Sequence, residues 1–457
     1  MAAQIASYSS SAGGGGGIID DASDFSDIGA TGLERNAIWR EEARYDHHDR
    51  SGSAIGVMAG NPHIPTGSGF AWRLAAFYAA LFIALGVQLP FLPVWLAAKG
   101  LDAGAIGVVL AIPMVVRVFA IPLAARTADH YDALRTAIAI AAAAAVLGYG
   151  AVALAQGAAA IMAAFALASA CYTPLMPLAD AYAFLGLRRR TADGEFPRPG
   201  LPAYGPVRLW GSAAFMAGSF GAGLLLDLIA PRDLIWLVVV AMMLAAAAAW
   251  VLVPLPASEA PARGRSRSTP GLLRERAFLA TAAAASLIQA SHALYYGFST
   301  LEWQAAGLGG GAIGALWALG VVAEIALFAV SARLPITPET LLLIGAAGAV
   351  IRWSAMALDP PAPLLPLLQC LHGLSFGATH LGAVAYIARA APAEQGATAQ
   401  GYLAVAQGLV MAAAMGVSGL LYARWGSLAY GAMALAAAAG GVCALAAVWS
   451  TAGGGPR

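Results

Sequence analysis

Six ionisable side chains, Arg117, Asp180, Arg208, Glu302, Glu324 and Arg352, stand inside or at the edge of stretches that are otherwise apolar. An ion in such surroundings costs several kcal/mol unless it is paired or meets water, so each is a candidate for function. Asp180 and Arg208 fall near the same end of neighbouring stretches and are expected to meet, either as a structural ion pair or as a proton-linked gate. Glu324 and Arg117 sit about halfway along theirs. A carboxylate there either holds a cation or carries a proton, which is the behaviour a proton-coupling group needs; the alternative for Glu324 is a fixed salt bridge to Arg352. Glu302 lies at the end of its stretch, where water reaches it.

Two polar stripes accompany these charges: Gln289-x-x-His292-x-x-x-Tyr296-x-x-Ser299 and Gln369-x-x-His372-x-x-x-Phe376-x-x-Thr379. Steps of three and four keep each stripe on one helical face, and a lipid-facing surface does not carry Gln, His and Ser. The stripes are therefore expected to line a pathway, with His380 further along the same face. A histidine titrates between about pH 5 and 8 and either donates to a carboxylate or ties two helices together, and both roles stay open for His292 and His372. Gln88, which aligns with Tyr296, joins Tyr172, Thr173 and Asp180 as the matching polar face of the N-terminal half. Trp210, Tyr296 and Phe376 offer rings on which an aromatic solute could stack, packing being the alternative.

Helices must position these residues. Of the 457 residues 60% are hydrophobic and 11% charged, with a net charge of +1, which excludes a soluble chain and gives no basic surplus for nucleic acid. Crossing roughly 30 Å of hydrocarbon takes about 20 apolar residues. By that measure twelve spans are expected, at 72–97, 106–125, 134–154, 158–185, 204–228, 234–253, 278–301, 312–334, 341–358, 363–390, 397–422 and 428–448. Arginines crowd the segment before the first span and the loops after every second span, while Lys99, Arg232 and Arg424 fall on the other side. Positive residues are retained inside, so both termini are expected to be cytoplasmic.

The Pro-, Ser- and Arg-rich stretch 254–276 divides the spans into six and six, giving an N-terminal bundle at 71–253 and a C-terminal bundle at 277–450. The halves repeat. Trp95-Leu-Ala-Ala-Lys-Gly100-Leu-Asp-Ala-Gly-Ala-Ile106-Gly107 matches Trp303-Gln-Ala-Ala-Gly307-Leu-Gly-Gly-Gly-Ala-Ile313-Gly314 at an offset of 207 residues, which makes Glu324 the counterpart of Arg117. A second echo sets Gly205 and Gly223-Leu-Leu against Gly401 and Gly419-Leu-Leu. Paired repeats of this kind describe transporters whose solute site lies between the halves near mid-membrane. Pro90, Pro93, Pro113, Pro122, Pro174 and Pro177 interrupt spans, and Gly211, Gly218, Gly221 and Gly223 allow close, sliding helix contacts.

Local strings carry a resemblance across residues 71–450: Tyr204-Gly-Pro-Val-Arg208-Leu-Trp210-Gly211-Ser212, Tyr295-Tyr-Gly-Phe298-Ser299, Gly320-Val-Val-Ala-Glu324, Arg352-Trp353 and His372-Gly-Leu-Ser-Phe376-Gly-Ala-Thr-His380. The chain resembles the major facilitator superfamily, and within it the phenylpropionate permease branch, which is similar to the nucleoside and oligosaccharide proton symporters. The resemblance implies an all-α membrane protein of two pseudo-symmetric six-helix bundles, a monomer of the inner membrane, that carries a small solute such as an aromatic carboxylate together with protons. A sugar or nucleoside symporter, or an uncoupled uniporter or flippase, are the alternatives on the same fold. The superfamily's loop between spans two and three carries an Asp among Gly and basic residues; Asp129 matches that pattern, whereas His130 and Asp132 depart from it.

Other function classes lack their residues. There is no phosphate-binding Gly-x-x-x-x-Gly-Lys-Ser/Thr, the one lysine being Lys99, and no nucleophile elbow, so neither an ATP-driven pump nor an enzyme is expected, nor any cofactor. Cys171, Cys370 and Cys443 lie in apolar stretches without metal-ligand or disulfide spacing. Residues 1–70, with a Gly13 to Gly17 run and acidic residues from Asp20 to Asp49, lack the apolar surface to fold; His47 and His48 there do not fix a metal geometry, and Met58 is an alternative start. Residues 451–457 form a short tail.

Overall fold

In a computed structural model the described residues are 69–192, 201–255, 272–331, 333, 335–391 and 396–452. Residues 1–68 of the expected tail and 256–271 of the expected linker 254–276 lie outside them. The described residues contain helices and no strand. In chain order the helices are α1 Gly69–Ala98, α2 Ala103–His130, α3 Leu134–Leu154, α4 Ala158–Tyr172, α5 Leu175–Ala192, α6 Leu201–Leu226, α7 Leu234–Trp250, α8 Arg276–Ala290 and α9 Ala293–Ala305. They continue with α10 Gly310–Ser331, α11 Pro338–Ala357, α12 Leu365–Cys370, α13 Thr379–Ala390, α14 Gly396–Trp425 and α15 Tyr430–Ala452.

Ten helical stretches among the described residues are long and apolar enough to cross a membrane. One of them, Thr398–Ser450, has 53 residues and holds α14 and α15, with a short 3₁₀ turn at Gly426–Ala429 between them. Residues 365–390 do not enter that count because α12 and α13 are short and are joined through a π-helical segment, Gly373–Ala378. Large side chains such as Phe119, Leu147, Leu435 and Trp449 are exposed, as expected of surfaces that meet lipid rather than water.

Three of the expected spans are broken at their polar residues. The fourth stops at Tyr172–Thr173 ahead of Pro174, the seventh at Ser291–His292, and the tenth at Leu371–His372. Such breaks free backbone groups and are tolerated at membrane depth only where protein or a cavity satisfies them. Contrary to the expectation that prolines interrupt them, the first and second spans run unbroken through Pro90, Pro93, Pro113 and Pro122.

The repeat is visible in the contacts. Gly100 and Gly307, equivalent at the offset of 207, both adopt φ +84°, a conformation glycine reaches without steric cost, and each turns the chain into the next helix. A Cβ on Gly107 of α2 would lie 2.8 Å from the Met415 carbonyl oxygen of α14, and one on Gly314 of α10 would lie 2.5 Å from the Ser219 carbonyl oxygen of α6. Ser219 and Met415 are themselves equivalent in the second echo, so the α2–α14 and α6–α10 seams have one register. Gly223 against Gly310, and Gly419 against Ala103, repeat it one turn further on. Both seams lie at the end bearing Lys99, Arg232 and Arg424, hereafter the arginine-poor end. Of the glycines expected to allow close approach, Gly211, Gly218 and Gly223 do so, against Phe82, the Ile83 carbonyl and the Gly310 carbonyl; Gly221 has nothing within 4 Å.

Candidate functional site

The C-terminal half gathers its charges into one chain of hydrogen bonds. Arg352 of α11 reaches His372 Nδ1 through Nη1 at 2.8 Å and donates to Gln369 Oε1 through Nη2 at 2.7 Å. His372 Nε2 lies 2.8 Å from Glu324 Oε1 of α10. A guanidinium only donates, so Nδ1 accepts, and the proton on this imidazole is on Nε2 and is donated to Glu324. All four side chains are buried, and Glu324 is 1% exposed. The Arg352 guanidinium also lies 4.5 Å from the ring centres of Tyr295 and Trp353, where aromatic faces attract a cation.

His292 is the mirror case. Its Nδ1 faces the carbonyl oxygens of Ile288 and Gln289, at 3.2 and 3.1 Å, and therefore carries the proton; Nε2 accepts from Ser375 Oγ at 3.0 Å. These carbonyls lie in the last turn of α8, where Ile288 O also accepts from Ser291 Oγ at 2.6 Å and Gln289 O from the His292 amide at 3.1 Å, so the His292 ring adds to the bonding of that helix end. Gln289 Nε2 donates to the Phe376 carbonyl at 3.3 Å, tying α8 to the π segment. In both stripes the histidine stacks on the aromatic residue four positions on: His292 on Tyr296 at 5.7 Å and His372 on Phe376 at 5.3 Å. The two imidazoles are 5.3 Å apart.

In the N-terminal half, Asp180 Oδ1 of α5 accepts from Tyr78 Oη at 2.6 Å and lies 3.9 Å from Arg208 Nε of α6. Arg208 lies 4.3 Å from the Phe82 ring centre and 5.0 Å from that of Tyr78, and its Nε and Nη2 are buried without hydrogen-bond partners among the described residues. Tyr149 donates to Gln88 Oε1 at 2.7 Å and meets Tyr172 edge-on at 5.9 Å; the neighbouring Thr173 Oγ1 is buried without a hydrogen-bond partner among the described residues.

The remaining candidates lie apart. Arg117 is placed against Gly408 of α14, whose Cβ would approach its Nη2 to 2.8 Å, and no ion pair joins it to Glu324 among the described residues. Thr379 Oγ1 donates to the Ser375 carbonyl at 2.8 Å, while Ser299 Oγ and His380 Nε2 are buried without hydrogen-bond partners among the described residues. Trp210 is 42% exposed and meets Trp72 edge-on, which removes it from any internal stacking role. Spacing alone did not find Ser375 or Tyr78. Ser375 lies three residues beyond His372, and the π segment carries it into contact with α8. Tyr78 was one aromatic among many in α1.

A buried cation-and-carboxylate chain at helix breaks, on a fold of paired repeats whose two seams share one register, suits a membrane transporter. The profile of the MFS_1 like family matches residues 71–431, and the chain belongs to that family. It is 35% identical over 377 residues to the "Probable 3-phenylpropionic acid transporter" of Escherichia coli (strain K12), covering 80% of this chain and 94% of that protein. It is 30% identical over 385 residues to the "Maltose permease" of Geobacillus stearothermophilus, covering 79% and 91%. Among solved structures, the nucleoside transporter NupG aligns with TM-score 0.70 at 16% identity, covering 84% of this chain and 99% of that one. An auto-inhibited POT family peptide transporter aligns with TM-score 0.62 at 13% identity, covering 85% and 97%. These two support the fold. The chain is thus an integral membrane transporter of the major facilitator type, a class that is not enzymatic.

Proposed function

We propose that this transporter couples protons to uptake of an aromatic carboxylate such as 3-phenylpropionate by alternating access. Twelve crossings in two six-helix bundles, 71–253 and 277–450, would put both termini on one side, and the distribution of arginines supports the cytoplasmic side of the inner membrane for a monomeric carrier. The observation that carries the proposal is the Arg352–His372–Glu324 chain. Among these three side chains one guanidinium stands against one carboxylate through an imidazole that accepts from Arg352 and donates to Glu324. A proton on Glu324 cancels the carboxylate and leaves Arg352 with an uncompensated charge, which is expensive in a buried site. A solute carboxylate arriving at the cluster compensates it, so anion and proton enter together and the loaded carrier is neutral. His372 is the relay: it links the two groups and passes the change at Glu324 to Arg352. Arg208, whose Nε and Nη2 make no hydrogen bond among the described residues and which has Asp180 at 3.9 Å and two aromatic rings against it, is the matching receptor on the opposite half.

The identity to a 3-phenylpropionic acid transporter supports the solute class, and the aromatic residues Tyr295, Tyr296 and Phe376 around the charge chain suit a phenyl ring. The identity to a maltose permease supports the rival reading, a sugar symporter, for which Gln88, Gln289 and Gln369 offer hydroxyl partners. Uptake of labelled 3-phenylpropionate and maltose into proteoliposomes, with and without an inward proton gradient, separates the two. Accumulation of the phenylpropionate only with the gradient is expected. Maltose accumulation in its place overturns the solute class, and gradient-independent equilibration overturns the coupling.

A further inference from the structure

The two seams at the arginine-poor end share a glycine register but differ in one charged contact. On the α2–α14 seam the N-terminus of α2 is capped from its own chain segment, Asp102 Oδ1 accepting from Ala105 N at 2.7 Å. On the α6–α10 seam the residue equivalent to Asp102 is Gly309, which has no side chain to do so. There the first amide of α10, Gly310 N, donates to Asp227 instead, at 2.9 Å to Oδ1 and 3.1 Å to Oδ2. Asp227 follows the end of α6 and belongs to the other half; its counterpart after α14 is Ala423. Helix N-termini carry unsatisfied amides and partial positive charge, so a carboxylate there stabilises the helix start wherever it comes from. Coming from the opposite half, it can do so only while the seam is closed.

We infer that Asp227 is a positioning residue for transport: its bond to Gly310 ties the two halves at the arginine-poor end and biases the carrier towards the state in which that end is shut. Gly223 and Gly310 make the bond geometrically available, because their backbones touch where any Cβ would collide with the facing carbonyl oxygen, at 2.3 and 2.1 Å. Opening the seam strips α10 of its cap, whereas α2 keeps its own in both states. The proposal rests on the transporter reading for the outward orientation of this end, and its test needs neither solute nor protons.

The test is the rate at which a membrane-impermeant maleimide, added outside right-side-out vesicles, labels cysteine at Ser418→Cys with Cys171, Cys370 and Cys443 replaced by alanine. Ser418 is buried beside Gly297, its hydroxyl bonded to the Met415 carbonyl on the neighbouring seam. Loss of a helix cap costs on the order of 1 kcal/mol, so Asp227→Ala is expected to raise the labelling rate about fivefold. Asp227→Asn, which keeps an acceptor and loses the charge, gives a smaller rise and stands in if the alanine variant does not fold. A cap restored within α10 by Gly309→Asp, in the Asp227→Ala background, leaves the rate raised, because it mends the helix without joining the halves. An unchanged rate in both Asp227 variants, or a return to the parent rate on adding Gly309→Asp, overturns the proposal. Failure of the uptake experiment with labelling as expected removes the solute reading alone.

Discussion

The stripes on the seventh and tenth spans have the same spacing, Gln, His, aromatic and hydroxyl at steps of three, four and three, yet their histidines do opposite work. His292 gives its proton to carbonyls of its own chain and accepts from Ser375, so it holds a helix break together. His372 accepts from Arg352 and donates to Glu324, so it sits in the charge chain. Spacing chose the face that both histidines occupy; what stands opposite that face chose the role. α10 and α11 present Glu324 and Arg352 to His372, whereas His292 meets Trp353 edge-on at 5.0 Å and no carboxylate among its described partners.

The comparison can be broken in several ways, and the largest effect belongs to the group that only one stripe touches. Glu324→Gln keeps a hydrogen-bonding group for His372 but cannot lose a proton, so gradient-driven accumulation is expected to fall to the background while solute exchange continues; counterflow against uphill uptake in proteoliposomes measures both. Arg352→Met removes the cation from the buried chain that ends on Glu324, a loss of about 3–5 kcal/mol that a thermal melt in detergent detects, alongside loss of transport. His372→Gln is expected to retain solute binding while the response to the gradient drops at least tenfold. His292→Gln, by contrast, costs about 1 kcal/mol of stability and keeps the gradient dependence. If the two glutamine variants behaved alike, the division of labour between the stripes would be wrong.

The smallest effect distinguishes the far ends of the stripes. Thr379 bonds the Ser375 carbonyl in the π segment, whereas Ser299 Oγ is buried without a described partner. Thr379→Ala is therefore expected to lower the melting temperature slightly, and Ser299→Ala to leave it level or raise it, since a buried unbonded hydroxyl is itself a cost.

Much of this was legible in the sequence because membrane-buried charge is rare enough to be informative. Glu324, Arg352, Asp180 and Arg208 were conspicuous in apolar surroundings, and Asp180 and Arg208 do face each other. The repeat was legible through Gly107 and Gly314, whose contacts prove equivalent. What the sequence hid was partner choice. The offset that makes Glu324 the counterpart of Arg117 reports equivalence, not contact, and the two are in different seams or clusters. The breaks at 173, 291 and 372 were legible only at Pro174; the other two have no proline, the one at 291 carrying side-chain bonds from Ser291 and His292 to the last carbonyls of α8 and the one at 372 opening into the π segment. Ser375 enters the site through a π turn that a 3.6-residue period cannot foresee. The cross-half cap by Asp227 was invisible because its signal is an absence, a glycine at 309 where the repeat places Asp102.

The claim at the centre of this account is that Glu324 takes up a proton as an organic anion binds. Proton uptake on adding 3-phenylpropionate to the purified transporter in weakly buffered solution near neutral pH, followed with an indicator dye, tests it directly. About one proton per bound anion is predicted for the parent protein, and none for Glu324→Gln despite binding. Anion binding without proton uptake in the parent, or undiminished uptake in Glu324→Gln, would contradict it.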